Sequence, residues 1–291
     1  KRVAFSTRRP LAEQEPAMRA LAGTLFDAPT VDNAAELLEM CLTHPHALVR
    51  IAAAHAYLPI TDDVARCIKI LAAGVKSRDL LERDLAATAL GRAQPEHPAL
   101  RPLSRRPSRV RRVRRRPETL LLVHGTWASD SEWYQPGGSF HTFIKGFRAD
   151  LYDQADFFRW SGGYSDGARD QGAADLAQWV TDHNESGLDL MGHSHGANVL
   201  MKATTLGMTA GKLILLSCPV HVNKYFPDFT KVQKVVSVRV KLDLVILADR
   251  GGQKFTHPDI KEIVLPVWFD HGATHDPAVW TKHGVRAKIP L

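Results

Sequence analysis

A chain of 291 residues with 44% hydrophobic side chains can bury one full core and a smaller second one, which excludes a largely disordered protein and points to two domains. No apolar run approaches the roughly 18 residues a membrane span needs, and Cys41, Cys67 and Cys218, with no CxxC spacing, argue against a disulfide framework or a zinc cluster. The net charge of +7 is local, because nine arginines between Arg101 and Arg116 have no acidic residue among them.

Residues 1–30 hold Pro10, Pro16 and Pro29 around a short helix-compatible run at 17–22, and read as a loosely attached lead-in. The first five residues lack the apolar region of a signal peptide. Together with the cysteine usage this makes a cytoplasmic location the expectation. From Val31 the apolar residues Ala34, Leu37, Leu38, Cys41 and Leu42 follow helical spacing, and Cys67, Ile70, Leu71, Gly74 and Val75 repeat it 33 residues later. At the same offset Arg50, Ala53, Ala54, Ala56 and Tyr57 correspond to Arg83, Ala86, Ala87, Ala89 and Leu90. Two helix pairs in register over 31–93 resemble HEAT-type repeats, which implies a small all-α domain, either a binding or covering surface or a packed appendage; two repeats offer little concave surface. Residues 94–117 interleave five prolines with the arginines and read as an extended linker. Contact with an anionic surface is the partner this segment allows; no aromatic interleaving or groove-reading motif suggests specific nucleic-acid binding.

The second domain, 118–291, opens on a buried-strand run at 119–123. Strand-like runs recur at 155–160, 188–191, 213–217, 235–240 and 262–269, with helix-length segments at 165–183 and 197–205 between them. The expected class is α/β: a mainly parallel sheet with helices on both faces, preceded by the small all-α domain. Right-handed crossovers then put the loops after the strands along one edge.

At that edge the run Gly192-His193-Ser194-His195-Gly196 reads as strand, sharp turn, helix, a nucleophile elbow. A serine at the tip of a strained turn needs backbone passing close on both sides, and Gly192 and Gly196 leave that room. Ser194 is then the nucleophile. The order serine, acid, histidine selects Asp243, after the strand ending near Val240, and His271, after the strand ending at Phe269. Asp249 and Asp228 compete for the acid, and His275 is the second-choice base. The oxyanion hole takes the backbone N–H of His195 and that of Thr126, or failing it Trp127, in the loop after the first strand. His193 and His195 are read as packing or hydrogen-bonding side chains that leave the turn away from Ser194. Trp127 and Trp133, with Tyr134 and Phe140, either line a substrate pocket or pack that loop onto the core. His271 and His275 with Asp270 or Asp276 have a metal-like spacing, but Gly272 and Pro277 argue against a helix there, and no metal or other cofactor is expected.

These residues resemble the α/β-hydrolase superfamily over 119–285, carried by the 121–125 run ending in His124-Gly125, the elbow, Asp243 and His271. Within it the 124–128, 133–140 and 158–162 segments look like a bacterial lipase or esterase-like group. The close of the chain is similar to serine-active-site proteins of lipid remodelling, some of which carry helical repeats ahead of the hydrolase domain. The resemblance implies hydrolysis of carboxylic esters, with a small or lipid-like substrate. No long insertion stands between the later strands, so no cap domain is expected. Two alternatives stay open: an acyltransferase on the same three side chains, and a non-catalytic interaction module on a hydrolase scaffold.

Overall fold

The computed structural model describes residues 11–103, 120–183, 185, 187–289 and 291; most of the arginine-rich stretch expected as a linker lies outside them. The chain divides into two compact units, Lys1–Ala99 and Leu100–Leu291.

The first unit is helical: α1 (Leu11–Asp27), α2 (Val31–Cys41), α3 (Ala47–Tyr57), α4 (Val64–Gly74) and α5 (Leu80–Ala93). Helix α1 runs well beyond the short segment expected at 17–22, since Pro16 in its second turn forfeits one backbone bond without ending the helix. Three helix starts are capped by side chains that accept a backbone N–H: Thr30 from Asn33 at 3.2 Å, Asp63 from Arg66 at 3.2 Å and Asp79 from Glu82 at 3.0 Å. Helix α4 begins 33 residues after α2, and α5 begins 33 residues after α3. Consecutive helices pack on one another and α3 also meets α5. The contact is close because the facing residues are small. A Cβ on Gly74 would lie 2.7 Å from the Ala86 methyl and 2.8 Å from Ile51 Cδ1. Glu39 ties three helices together, accepting from the Tyr57 hydroxyl at 2.8 Å and from Arg66 at 2.7 Å.

The second unit holds β1 (Leu120–Val123), α6 (Ser139–Lys145), α7 (Asp166–Asp182), β2 (Leu188–His193), α8 (His195–Thr205), β3 (Ala210–Leu216), β4 (Val232–Arg239), α9 (Leu244–Asp249), β5 (Ile260–Val264), α10 (Pro277–His283) and α11 (Val285–Lys288). All five strands are parallel and lie in chain order, β1-β2-β3-β4-β5. Their side chains alternate between two cores. Leu121, Leu190, Leu213, Leu215 and Val235 pack with α7 and α8, whereas Leu122, Met191, Ile214, Val236 and Ile263 pack with Phe140 and Ile144 of α6 and Trp280 of α10. Burial on both faces is why these strands read as continuous apolar runs. The architecture is therefore α/β, a parallel sheet under helices on both faces, with an all-α unit ahead of it in the chain.

Two expected strands differ. Residues 155–160 form none: only Leu151 bridges β1, at Leu120, while Phe158 and Trp160 are buried by packing and the Trp160 indole donates to the His124 carbonyl at 2.8 Å. The final strand stops at Val264 instead of continuing to 269, because Pro266 has no N–H for the ladder. Among the described residues no helix is long and apolar enough to cross a membrane, and all three cysteines are free thiols.

Candidate active site

Ser194 is the single residue between β2 and α8, with φ 53° and ψ −131°. That is the positive-φ region a side chain avoids. The turn is held by its own N–H, which donates to the Leu216 carbonyl at 2.8 Å, and by Ala197 N–H donating to the Ser194 carbonyl at 3.0 Å. The neighbouring glycines are required by space. A Cβ on Gly192 would sit 2.8 Å from the Ala197 nitrogen, one on Gly196 would run into the His124 carbonyl oxygen, and one on Gly125 would meet Ser194 Cβ at 2.8 Å. The loop after β1 thus passes directly against the serine.

Asp243 and His271 come together. Asp243 Oδ1 caps α9, accepting from Val245 N–H at 3.0 Å and Ile246 N–H at 3.2 Å, which leaves Oδ2 to accept from His271 Nδ1 at 2.7 Å. A carboxylate acceptor there fixes the proton on Nδ1 and leaves Nε2 as the basic nitrogen. The backbone bridge Asp243↔Phe269 sets the two loops in register, and the Gln253 side chain grips Asp243 at both backbone groups, at 2.9 and 3.0 Å. The His271 ring reaches the elbow through His193, whose Nε2–H donates to the His271 carbonyl at 3.0 Å with ring centroids 4.6 Å apart.

The other candidate residues have partners of their own. His275, the second-choice base, stacks on Trp133 at 4.3 Å and meets His193 edge-on at 4.4 Å, and burial and then the nearby His271 push its pKa down to about 4. Trp133 is only 8% exposed and packs on these histidines and Phe140. Trp127 has φ 55°, stacks on Tyr164 at 5.3 Å, and spends its amide on the Gly162 carbonyl at 2.8 Å. This removes it as the fallback oxyanion donor. His195 is the first residue of α8, where helix geometry gives its N–H no partner within the helix. Its side chain meets Thr126 Oγ1 through Nδ1 at 2.8 Å, so Thr126 and His195 are joined across 69 positions.

Of the rival acids, Asp228 is occupied in a turn with Thr230 at 2.7 and 2.9 Å. Asp249 pairs with other groups than His271: it accepts from Tyr164 OH at 2.6 Å, His221 Nε2 at 2.6 Å and His195 Nε2 at 3.3 Å. Burial alone would raise its carboxyl, but the bonds from His195 and His221 outweigh that and hold it well below the usual range. His195, His221 and Asp249 are also the one group among the described residues whose ligand-type atoms, all within 4.8 Å of one another, could hold a metal ion; His271 and His275 form no such group with Asp270 or Asp276. Sequence reasoning missed this cluster and the Gln253 grip. Spacing gives no sign of either, since His195, His221 and Tyr164 reach Asp249 from separate segments.

No protein-family model and no curated protein sequence matches the chain. Solved structures similar to parts of it include an extracellular α/β-hydrolase from a Paenibacillus species, described as sharing structural and functional homology with tobacco salicylic acid binding protein 2 (14% identity, 36% of this chain, TM-score 0.26). The chain spans 43% of the length of that protein. An α/β serine hydrolase without lid from Xanthomonas campestris aligns at 17% identity over 60% of this chain and 84% of its own, with a TM-score of 0.34. An uncharacterized protein from Bacillus cereus aligns at 12% identity over 92% of this chain and 97% of its own, with a TM-score of 0.33.

Proposed function

We propose that the protein is a serine hydrolase of carboxylic esters, of the lipase or esterase type, on an α/β-hydrolase scaffold. The observation that carries the reading is the buried Asp243–His271 pair at 2.7 Å, docked onto His193, the residue preceding a serine with φ 53°. In this reading His271 Nε2 takes the Ser194 hydroxyl proton as Oγ attacks the ester carbonyl. The oxyanion is met by the amides of Thr126 and His195, which Gly125 and the helix start keep close to Ser194. As the carbonyl reforms, the alkoxide leaves with the proton from His271. Water then attacks the acyl-enzyme with His271 again as base, releasing the acid and restoring Ser194.

Trp268 and Phe269, 54% and 44% exposed and immediately before Asp270 and His271, support an apolar ester substrate. The helical unit is read as a HEAT-like pair of repeats serving as an appendage.

The test is labelling of wild type and Ser194→Ala with a fluorophosphonate probe, alongside turnover of p-nitrophenyl esters of increasing acyl length. Wild type alone should label, turnover should fall at least about 10³-fold in the variant, and the ester series sizes the acyl site. Equal labelling of both proteins refutes the assignment, and acyl transfer to an added alcohol in preference to water would replace hydrolysis by transfer.

A further inference from the structure

We propose that Asp249 acts through His195 as a positioning residue for Thr126, so that a second Asp–His pair, separate from Asp243–His271, holds the oxyanion side of the site in place. The inference rests on the serine-hydrolase reading. Its structural basis is a continuous chain of contacts: Thr126 Oγ1 to His195 Nδ1 at 2.8 Å, His195 Nε2 to Asp249 Oδ2 at 3.3 Å, with Tyr164 OH and His221 Nε2 each 2.6 Å from the same carboxylate.

The chemistry of the ends fixes the direction of every bond. A carboxylate only accepts, so His195 Nε2 carries a hydrogen and donates to Asp249, and the ring has no second hydrogen because burial keeps it neutral, with its pKa pushed down to about 4. Nδ1 then has only a lone pair, and Thr126 must donate its hydroxyl hydrogen to it. Neither ring nitrogen is left to take the proton of Ser194, so His195 is not the base despite standing next to it. The same bonds restrict the Thr126 side chain, and with it the amide next in the chain to Gly125, where an added Cβ would lie 2.8 Å from Ser194 Cβ.

The location of Asp249 argues for purpose. It is the last residue of α9, 5% exposed, at the helix end where the backbone dipole opposes a negative charge. For helix stability alone a cation or a neutral residue would serve better there. Three donors from three separate segments offset the penalty. One six-residue helix consequently carries an Asp–His pair at each end, Asp243 with His271 and Asp249 with His195. The other side of the same loop is fixed by the neighbouring segment, through Trp127 N–H on the Gly162 carbonyl and Trp127 stacked on Tyr164.

The experiment measures kcat and KM for an activated ester, inhibition by a trifluoromethyl ketone that forms an oxyanion adduct, and thermal unfolding, all on the full chain. Thr126→Val is isosteric and lacks the donor. It is expected to lower kcat by about 10- to 100-fold, to weaken the ketone by a similar factor and to leave KM within about twofold. Thr126→Ser, which keeps the hydroxyl, should recover most of that loss. Asp249→Asn should lower kcat in the same way, and the double variant should be no worse than the poorer single one, because both cut one chain. Wild-type kcat and ketone affinity in Thr126→Val, or additive losses in the double variant, overturn the inference while Ser194-dependent turnover in wild type leaves the hydrolase reading standing. If wild type shows no Ser194-dependent turnover, the parent reading fails and this one with it. Should Asp249→Asn not fold, the comparison of Thr126→Val with Thr126→Ser still decides.

Discussion

Asp243 has two duties on two oxygens, and two substitutions separate them. Asp243→Asn keeps an oxygen that can cap α9 but no longer fixes the proton on His271 Nδ1, so its melting temperature should stay near wild type while kcat for an activated ester falls by about 10⁴-fold. Asp243→Ala removes the cap as well and should lose a further 1 kcal/mol or so of stability in denaturant titration. Gly125 is a different case, since an added methyl meets Ser194 Cβ at 2.8 Å and the His193 carbonyl at 3.0 Å. Gly125→Ala is expected to depress fluorophosphonate labelling well before it unfolds the protein, because the intrusion falls on the serine itself.

At the scale of elements, the α4 contact makes a sharp test of the first unit. Gly74→Ala must push apart Ala86 and Ile51, and overpacking of this kind costs about 1–3 kcal/mol, read as a drop in melting temperature with hydrolytic turnover unchanged. What the sequence made legible follows from how local each signal is. The elbow could be read because Gly192 and Gly196 answer a steric need within five residues. The helix pairs could be read because small residues recur at a fixed offset; Asp243 does follow a strand, β4, whereas the strand expected to lead into His271 stops at Val264. Helix α1 extends past the helix-compatible run at 17–22 because a proline in the second turn costs one backbone bond and does not end the helix. The 155–160 run reads as a strand because it is rich in aromatic residues, yet Phe158 and Trp160 are buried by packing and not by a ladder. The partners of Asp249 were illegible for a different reason: apolar periodicity says nothing about which polar groups meet across 28, 54 and 85 positions.

At the scale of the molecule, the second unit carries buried histidines that set its acid limit. His124, His195 and His275 are each pushed down to about 4, chiefly by burial. In the unfolded chain they titrate near 6.5. Because the folded values are the lower ones, the unfolded state binds more protons between about pH 6.5 and 4, so stability is intact above that window and is lost as pH falls through it, by up to about 1.4 kcal/mol per pH unit for each histidine. Calorimetry from pH 8 to 4.5 should show a melting temperature that is level at first and then drops steeply, and His275→Gln should make that drop shallower. A slope unchanged by the substitution would remove His275 from the account.

The backbone at position 194 has one more consequence. Glycine adopts φ 53° without steric penalty, whereas a serine held there costs of order 1–3 kcal/mol. Ser194→Gly is therefore expected to outlast wild type on heating while hydrolysing nothing. Selecting variants for heat tolerance alone would favour loss of Ser194, the proposed nucleophile, so any such programme on this chain has to screen for turnover in the same round.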